Sequence, residues 1–215
     1  MKTKTTIKAI SLMIASALLL TTLAGCLDND SKTKQDVSSN ISEAASDTGR
    51  KDGERFEEVI GIEGQEETVQ YEHVKNEKIG FELDYEYESL KRITESDCER
   101  FVSVYDDSEK PYNYLEVTYF SEKADSTVKS VKDDLSKKYK TVTEESCELK
   151  GAGQCRSISV SGAKGSGASK DSLQTVYIIP AGDGCIVAAA HYTIESAEGF
   201  GARFSYIVNT LSVID

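Results

Sequence analysis

The chain has 215 residues, with 25 basic against 37 acidic side chains and a formal net charge of −12. That balance disfavours nucleic acid as a partner, and disfavours docking on anionic lipid through a basic patch, since both rely on clustered Lys and Arg. Its plain consequence is solubility and self-repulsion near a negative envelope.

The first 25 residues carry Lys2, Lys4 and Lys8, no acid, and an apolar run from Ala9 to Leu20. A basic start and a short apolar core form the pattern of a secretory signal. The run is shorter than the roughly 20 apolar residues of a spanning helix. Leu23-Ala24-Gly25-Cys26 then sets small residues before a cysteine. This resembles the lipobox of bacterial lipoproteins. The resemblance implies that residues 1–25 are a cleaved signal peptide and that Cys26 is the lipidated first residue of the mature protein. It also implies a lipid anchor on the extracytoplasmic face of the cell membrane, where two acyl chains at about 0.8 kcal/mol per buried methylene hold stably. Cleavage would remove three lysines and bring the charge to −12 − 3 = −15.

Residues 26–53 are rich in Ser, Asp, Lys, Asn and Thr and contain no aromatic side chain. Such a segment buries too little apolar surface to offset its ordering entropy and is expected to be a disordered linker. Residues 54–215 are expected to form a single domain, long enough to bury about 70% of its unfolded surface.

Within that domain Thr68 to Lys75 is strand-like, and period-two alternation recurs in Ile79 to Leu83, Phe101 to Tyr105, Tyr114 to Phe120 and Ser157 to Val160. Ser126 to Tyr139 predicts a helix, with Val128, Val131, Leu135 and Tyr139 on one stripe. Asp133 with Lys137, and Asp134 with Lys138, have the supportive i,i+4 spacing. Gly151 and Gly153 mark a hairpin between Val142 and Val160, and the Gly-Ser-Lys stretch 161–172 reads as a mobile loop. A second hairpin joins Tyr177–Pro180 to Cys185–His191 through Ala181-Gly182-Asp183-Gly184, where the Asp-Gly pair is expected to supply the positive φ. Phe200, Phe204, Ile207, Val208 and Leu211 form the stripe of a terminal helix. The pattern predicts an α+β domain, an antiparallel sheet covered by helices.

Ile79-Gly80-Phe81-Glu82-Leu83-Asp84-Tyr85 resembles the opening of the PsbP-like family, and the order of elements to Ile214 continues that likeness. The family shares an αβα sandwich with the Mog-type Ran-binding proteins. It often carries Pro and Trp after the opening strand, where this chain has Glu86-Tyr87-Glu88 and no Trp anywhere. The resemblance implies a scaffold commonly used to bind other proteins. It carries over no catalytic residue, because the family has no shared active site.

The residues themselves point to no chemistry of comparable force, and no catalytic, cofactor or metal residue is assigned. His191 ends the apolar run Ile186–Ala190 and His73 lies in a strand, so both are read as satisfied structural histidines. Asp84, Glu86 and Glu88 share one face if extended, read as solvated and not as a cation site. The glycine pairs lack the third glycine of a dinucleotide fingerprint and the lysine of a phosphate loop. Eleven tyrosines, several near acids (Tyr85, Tyr87, Tyr105, Tyr112, Tyr114), are candidates for a protein- or glycan-contacting surface. Cys98, Cys147, Cys155 and Cys185 fit a disulfide framework with three connectivities, or free buried thiols. Cys147 and Cys155 are equidistant from Gly151, so a hairpin there sets them opposite each other, although their face relative to Val142 and Val160 asks for a bulge. Cys98 with Cys185 is the other pairing. The functional expectation is a non-enzymatic, lipid-anchored domain that binds a protein or envelope component. An extracytoplasmic hydrolase or other enzyme with an unrecognised site is the alternative, which a pocket holding His191 beside a serine and an acid would favour, and a small-ligand receptor is a third.

Overall fold

The computed structural model describes residues 49–62, 65–106, 108, 110–164 and 171–214. Cys26, the signal segment, most of the linker and the Gly165-Ser166-Gly167 loop lie outside the described residues.

The chain runs β1 (Arg55–Ile62), β2 (Gln65–Asn76), β3 (Phe81–Glu86), β4 (Leu90–Thr94), β5 (Cys98–Ser103), β6 (Tyr114–Phe120) and α1 (Ala124–Lys138). It continues as β7 (Tyr139–Leu149), β8 (Gly153–Ala163), β9 (Ser172–Ala181) and β10 (Gly184–Thr193), then a π-helical turn (Ala197–Gly201), α2 (Ala202–Thr210) and β11 (Ser212–Val213). The described residues are mostly antiparallel sheet with two α-helices. One sheet was expected and two are present: a four-stranded sheet in the order β1-β2-β3-β11 and a seven-stranded sheet in the order β4-β5-β6-β10-β9-β8-β7.

Alternation along the central strands explains how both faces of the larger sheet are filled. Val176 and Ile178 of β9, with Cys185 and Val187 of β10, meet Val128 and Leu135 of α1. Ile179, Ile186, Ala188 and Ala190 point the other way, onto Phe81, Leu83 and Tyr85 of β3 and Phe204, Ile207, Val208 and Leu211 of α2. The continuous apolar run of β10 is therefore that of a strand buried on both faces. Apolar spacing places the α1 stripe, while Asp125 in its first turn and Lys137 and Lys138 in its last complement the helix dipole. Lys137 pairs at 2.6 Å with Asp134, an i,i+3 contact replacing the expected i,i+4 pairs. Tyr139 is extended (φ −122°) and opens β7, so the helix stops one residue short of the expected end. α2 lies along β3, where the Thr210 hydroxyl accepts the Asp84 amide at 3.0 Å; β11 itself pairs only with Phe81 and Glu82.

The β9–β10 hairpin closes on Ala181 and Gly184; Gly182 takes a positive φ (54°), and Gly184 does not. Gly184 is instead a packing position: a Cβ there would collide with the Phe120 carbonyl and come within 2.8 Å of the Tyr119 ring. In the β7–β8 hairpin the register runs without a bulge from Thr141 opposite Ser161 to Leu149 opposite Gly153. The expected bulge is unnecessary because Cys147 belongs with Leu149 to the core facing β3, and Val142 to the core under α1.

The boundary at residue 54 moves towards the N-terminus. Arg50 lies 3.7 Å from the Phe56 ring centroid and 3.4 Å from Asp84, Asp52 pairs with Arg92 at 2.8 Å, and the Gly53 amide donates to the His73 carbonyl. Charge pairing thus binds the last residues of the segment read as linker to the folded sheets.

Candidate functional site

Two polar networks sit inside the fold. The first centres on Glu99, which is 0% exposed on the inward face of β5. Its oxygens accept from Arg92 Nε at 2.7 Å, Asn76 Nδ2 at 2.7 Å and the Thr94 hydroxyl at 2.5 Å. Asp52 accepts from the same guanidinium and from the Lys75 amide at 3.0 Å. Burial raises the Asp52 carboxyl, but the Lys75 amide and the Arg92 guanidinium outweigh it and hold the group below its ordinary range. The network joins β2, β4, β5 and the segment before β1.

The second network corrects the reading of Asp84 and Glu86 as a solvated face: both are buried, while Glu88 is exposed. His73, 2% exposed, donates from Nδ1 to Asp84 at 2.7 Å, and Arg50 holds the other carboxylate oxygen. His73 Nε2 lies 3.7 Å from Glu82 and has no hydrogen-bond partner among the described residues. Arg203 of α2 pairs with Glu86 and, at 3.4 Å, with Glu67. Phe56, Tyr71 and Tyr206 stack beside these charges, with ring centroids 5.7 Å apart in each pair. A histidine–carboxylate pair is the geometry of a general base, but a base must reach the proton it takes. At this burial His73 is closed to a substrate and serves as a cross-strand tie between β2 and β3.

His191 stacks on Tyr114, with centroids 4.3 Å apart, and its Nε2 accepts the Gln174 amide at 3.2 Å. Tyrosine and glutamine are therefore the polar neighbours of this ring. Burial, then the charges of Lys138 and Arg100, push its pKa down to about 4. Burial, Glu116 and Glu95 push the Cys98 thiol up to about 11, and burial raises Cys185, which donates to Thr127 at 3.3 Å. Thiols held protonated in this way are weak nucleophiles. These two cysteines are buried and free, so the Cys98–Cys185 pairing is not formed. Cys147 and Cys155 form a disulfide with Cα atoms 5.1 Å apart. Its sequence separation of 8 closes a short loop, so the Cys147→Ser, Cys155→Ser double variant should lose about 2–3 kcal/mol at most in urea unfolding. Mass spectrometry of the unreduced, alkylated parent should give a linked 147–155 peptide.

The tyrosines do not share one face. Tyr85 is in the core, and Tyr87, on the turn between β3 and β4, lies under the Arg55 guanidinium at 4.1 Å. Tyr105 and Tyr112 are 77% and 60% exposed, on the loop between β5 and β6, with exposed Val104 beside them. Asp106 fastens that loop, accepting from the Tyr112 amide and from the Ser108 amide and hydroxyl. Asn113 ties it to the end of β10, accepting from the Ser196 hydroxyl at 2.6 Å, two residues beyond exposed Ile194. Sequence pattern singled out these two tyrosines among five, but not their separation from Tyr85 and Tyr87, which depends on which sheet each strand joins.

Among the described residues no group of three or more His, Cys, Asp or Glu side chains is arranged to hold a metal ion, and no helix is long and apolar enough to cross a membrane. The class defined so far is an antiparallel α+β domain with internal charge networks and a fastened, exposed aromatic loop. No protein-family model and no curated protein matches the chain. Among solved structures it is similar to the solution structure of cyanobacterial PsbP (CyanoP) from Synechocystis sp. PCC 6803. The TM-score is 0.46 at 9% identity, over 66% of this chain and 92% of that one. The likeness concerns the course of the chain, and no residue role passes from one protein to the other.

Proposed function

We propose that this chain is a bacterial lipoprotein, anchored through Cys26 on the extracytoplasmic face of the cell membrane. Its domain, on a PsbP-like scaffold with helices covering the sheet, is a non-enzymatic binding module for another protein or an envelope component. The observation that carries the binding reading is the pair Tyr105 and Tyr112, held in solvent by a loop that Asp106 and Asn113 fasten. Tyrosine offers large contact area at low entropy cost, and residues already held by hydrogen bonds lose less on binding. Buried His73, half-buried His191 and the protonated thiols are engaged with neighbours in the fold, which supports a module without catalysis. The anchor reading rests on the Lys2-to-Cys26 pattern.

The test is cross-linking in native membranes, with the parent chain and a Tyr105→Ser, Tyr112→Ser variant. The variant should keep the parent's melting temperature and lose the cross-linked partner, each truncation costing about 2 kcal/mol if the tyrosines are interface anchors. Undiminished cross-linking would remove this loop from the binding surface. In the same cells Cys26→Ser should leave the detergent phase, and persistence there with the parent's mature mass would refute the anchor.

A further inference from the structure

We propose that β1 is a docking edge for an extended, cationic segment of another protein, which joins the four-stranded sheet as its outermost strand. Among the described residues β2 is the only strand that pairs with β1. The ladder can be followed from its end, where the His73 amide donates to the Glu54 carbonyl. Hydrogen-bonded pairs alternate along an antiparallel ladder. Phe56, Glu58 and Ile60 therefore turn their backbone groups to β2, and Arg55, Glu57, Val59 and Gly61 turn theirs outward. Such rows pair with other chains unless the edge is short, bulged, covered or guarded by proline or charge, lysine above all, and a charged edge then admits only a strand of the opposite sign. β11 has 2 residues, and β4 has 5 with Lys91 among them. β7 is long but carries Lys140, and Lys132 and Arg156 neutralise its Glu144. β1 offers 8 residues with neither lysine nor proline, and its Val59 is 59% exposed.

Charge selects the occupant. Residues 55–70 contain Arg55 against Glu57, Glu58, Glu63, Glu66 and Glu67. Arg55 is already paired with Glu72 at 2.8 Å and Glu67 with Arg203 at 3.4 Å, while Glu57, Glu58 and Glu66 are exposed. A second copy would set glutamates against glutamates, and like charges directly across strands are destabilising. The chain's own residues 27–48 hold five acids and two lysines, again the wrong sign. A strand alternating basic and apolar side chains satisfies both the outward amides and the glutamates around Val59, the mode of β-strand addition. This surface is distinct from the Tyr105 loop, and neither reading depends on the other.

The probe is a synthetic peptide alternating lysine and valine over the length of β1, added to the full chain in non-ionic detergent. Fluorescence anisotropy gives its affinity, and hydrogen exchange with mass spectrometry locates it. Binding should protect amides of Arg55–Ile62. A control N-methylated at alternate residues keeps the charge but loses the edge donors, and should bind at least about tenfold more weakly. Val59→Pro removes an outward N–H and no ladder bond, a tolerated edge position, and should weaken the unmodified peptide by a similar factor. Should that variant lose its melting transition, Glu57→Lys with Glu66→Lys serves instead, with about a tenfold loss expected from reversing cross-strand charge. Equal affinity for both peptides, no binding, protection outside β1, or self-association through β1 that displaces the peptide would each overturn the proposal.

Discussion

Replacing Arg92 with methionine should lower the unfolding free energy by about 3–5 kcal/mol, because it leaves Glu99 charged and uncompensated in the interior. Glu99 is fully buried, and Arg92 is its cationic partner, at 2.7 Å. Asn76 and Thr94 supply neutral hydrogen bonds to the same carboxylate, and these cannot offset its desolvation alone. The loss also frees Asp52 and, with it, the acceptor of the Lys75 amide. Urea unfolding with an unchanged m-value measures the effect. Adding Glu99→Gln to Arg92→Met should restore part of the loss, since the buried group is then neutral. A loss under about 1 kcal/mol for Arg92→Met alone would show that water reaches Glu99 and that the pair is superficial.

Acid should destabilise the protein before its carboxylates titrate, and His191 is the cause. Burial, with the charges of Lys138 and Arg100, lowers its pKa from 6.5 in the free side chain to about 4. Between those values the unfolded chain binds a proton that the native chain refuses, so stability rises with pH across that window. The contribution is complete above about pH 6.5 and is lost as pH falls towards 4, amounting to about 2–3 kcal/mol. Unfolding free energies measured from pH 4 to 7.5 on the parent and on His191→Gln should differ in slope within this window and run parallel above it. Gln keeps a polar end for Gln174 and does not titrate. The depressed carboxyls of Asp52, Asp106 and Glu144 act below it: their native pKa values lie under the unfolded ones, so their stabilisation is lost as pH falls through the native values. Identical slopes for the parent and His191→Gln would place a charged His191 in the native state.

Local order was largely legible in the residues. Period-two alternation located the cores of β5, β6 and β8, the Gly-Asp-Gly turn located β10, and apolar spacing located α1, because strand and helix parity and turn chemistry are properties of neighbouring residues. Equal distances from Gly151 placed Cys147 opposite Cys155 for the same reason: a hairpin's register is set by its own turn. Charge and small size at Lys2 to Cys26 form a pattern read without any fold, and that stretch lies outside the described residues.

What only the tertiary structure decided is which face each strand turns inward and what waits there. Parity put Asp84 with Glu86, and Tyr85 on the opposite face, but alternation alone cannot say that both faces of β3 are covered. The partners come from far along the chain, Arg203 from α2 and Arg50 from the segment before β1. The same is true of Glu99, whose strand looks half-solvated until β2 and β4 bring Asn76, Arg92 and Thr94 to it. The division into two sheets was hidden for a related reason. A strand's sheet membership depends on long-range pairing, and β1 and β4, one rich in glutamate and the other short, carry too little apolar alternation to announce themselves. Burying a carboxylate is unfavourable unless a cation meets it, so the charges of this acidic chain could be assigned to surface or interior only once the fold had brought those cations alongside.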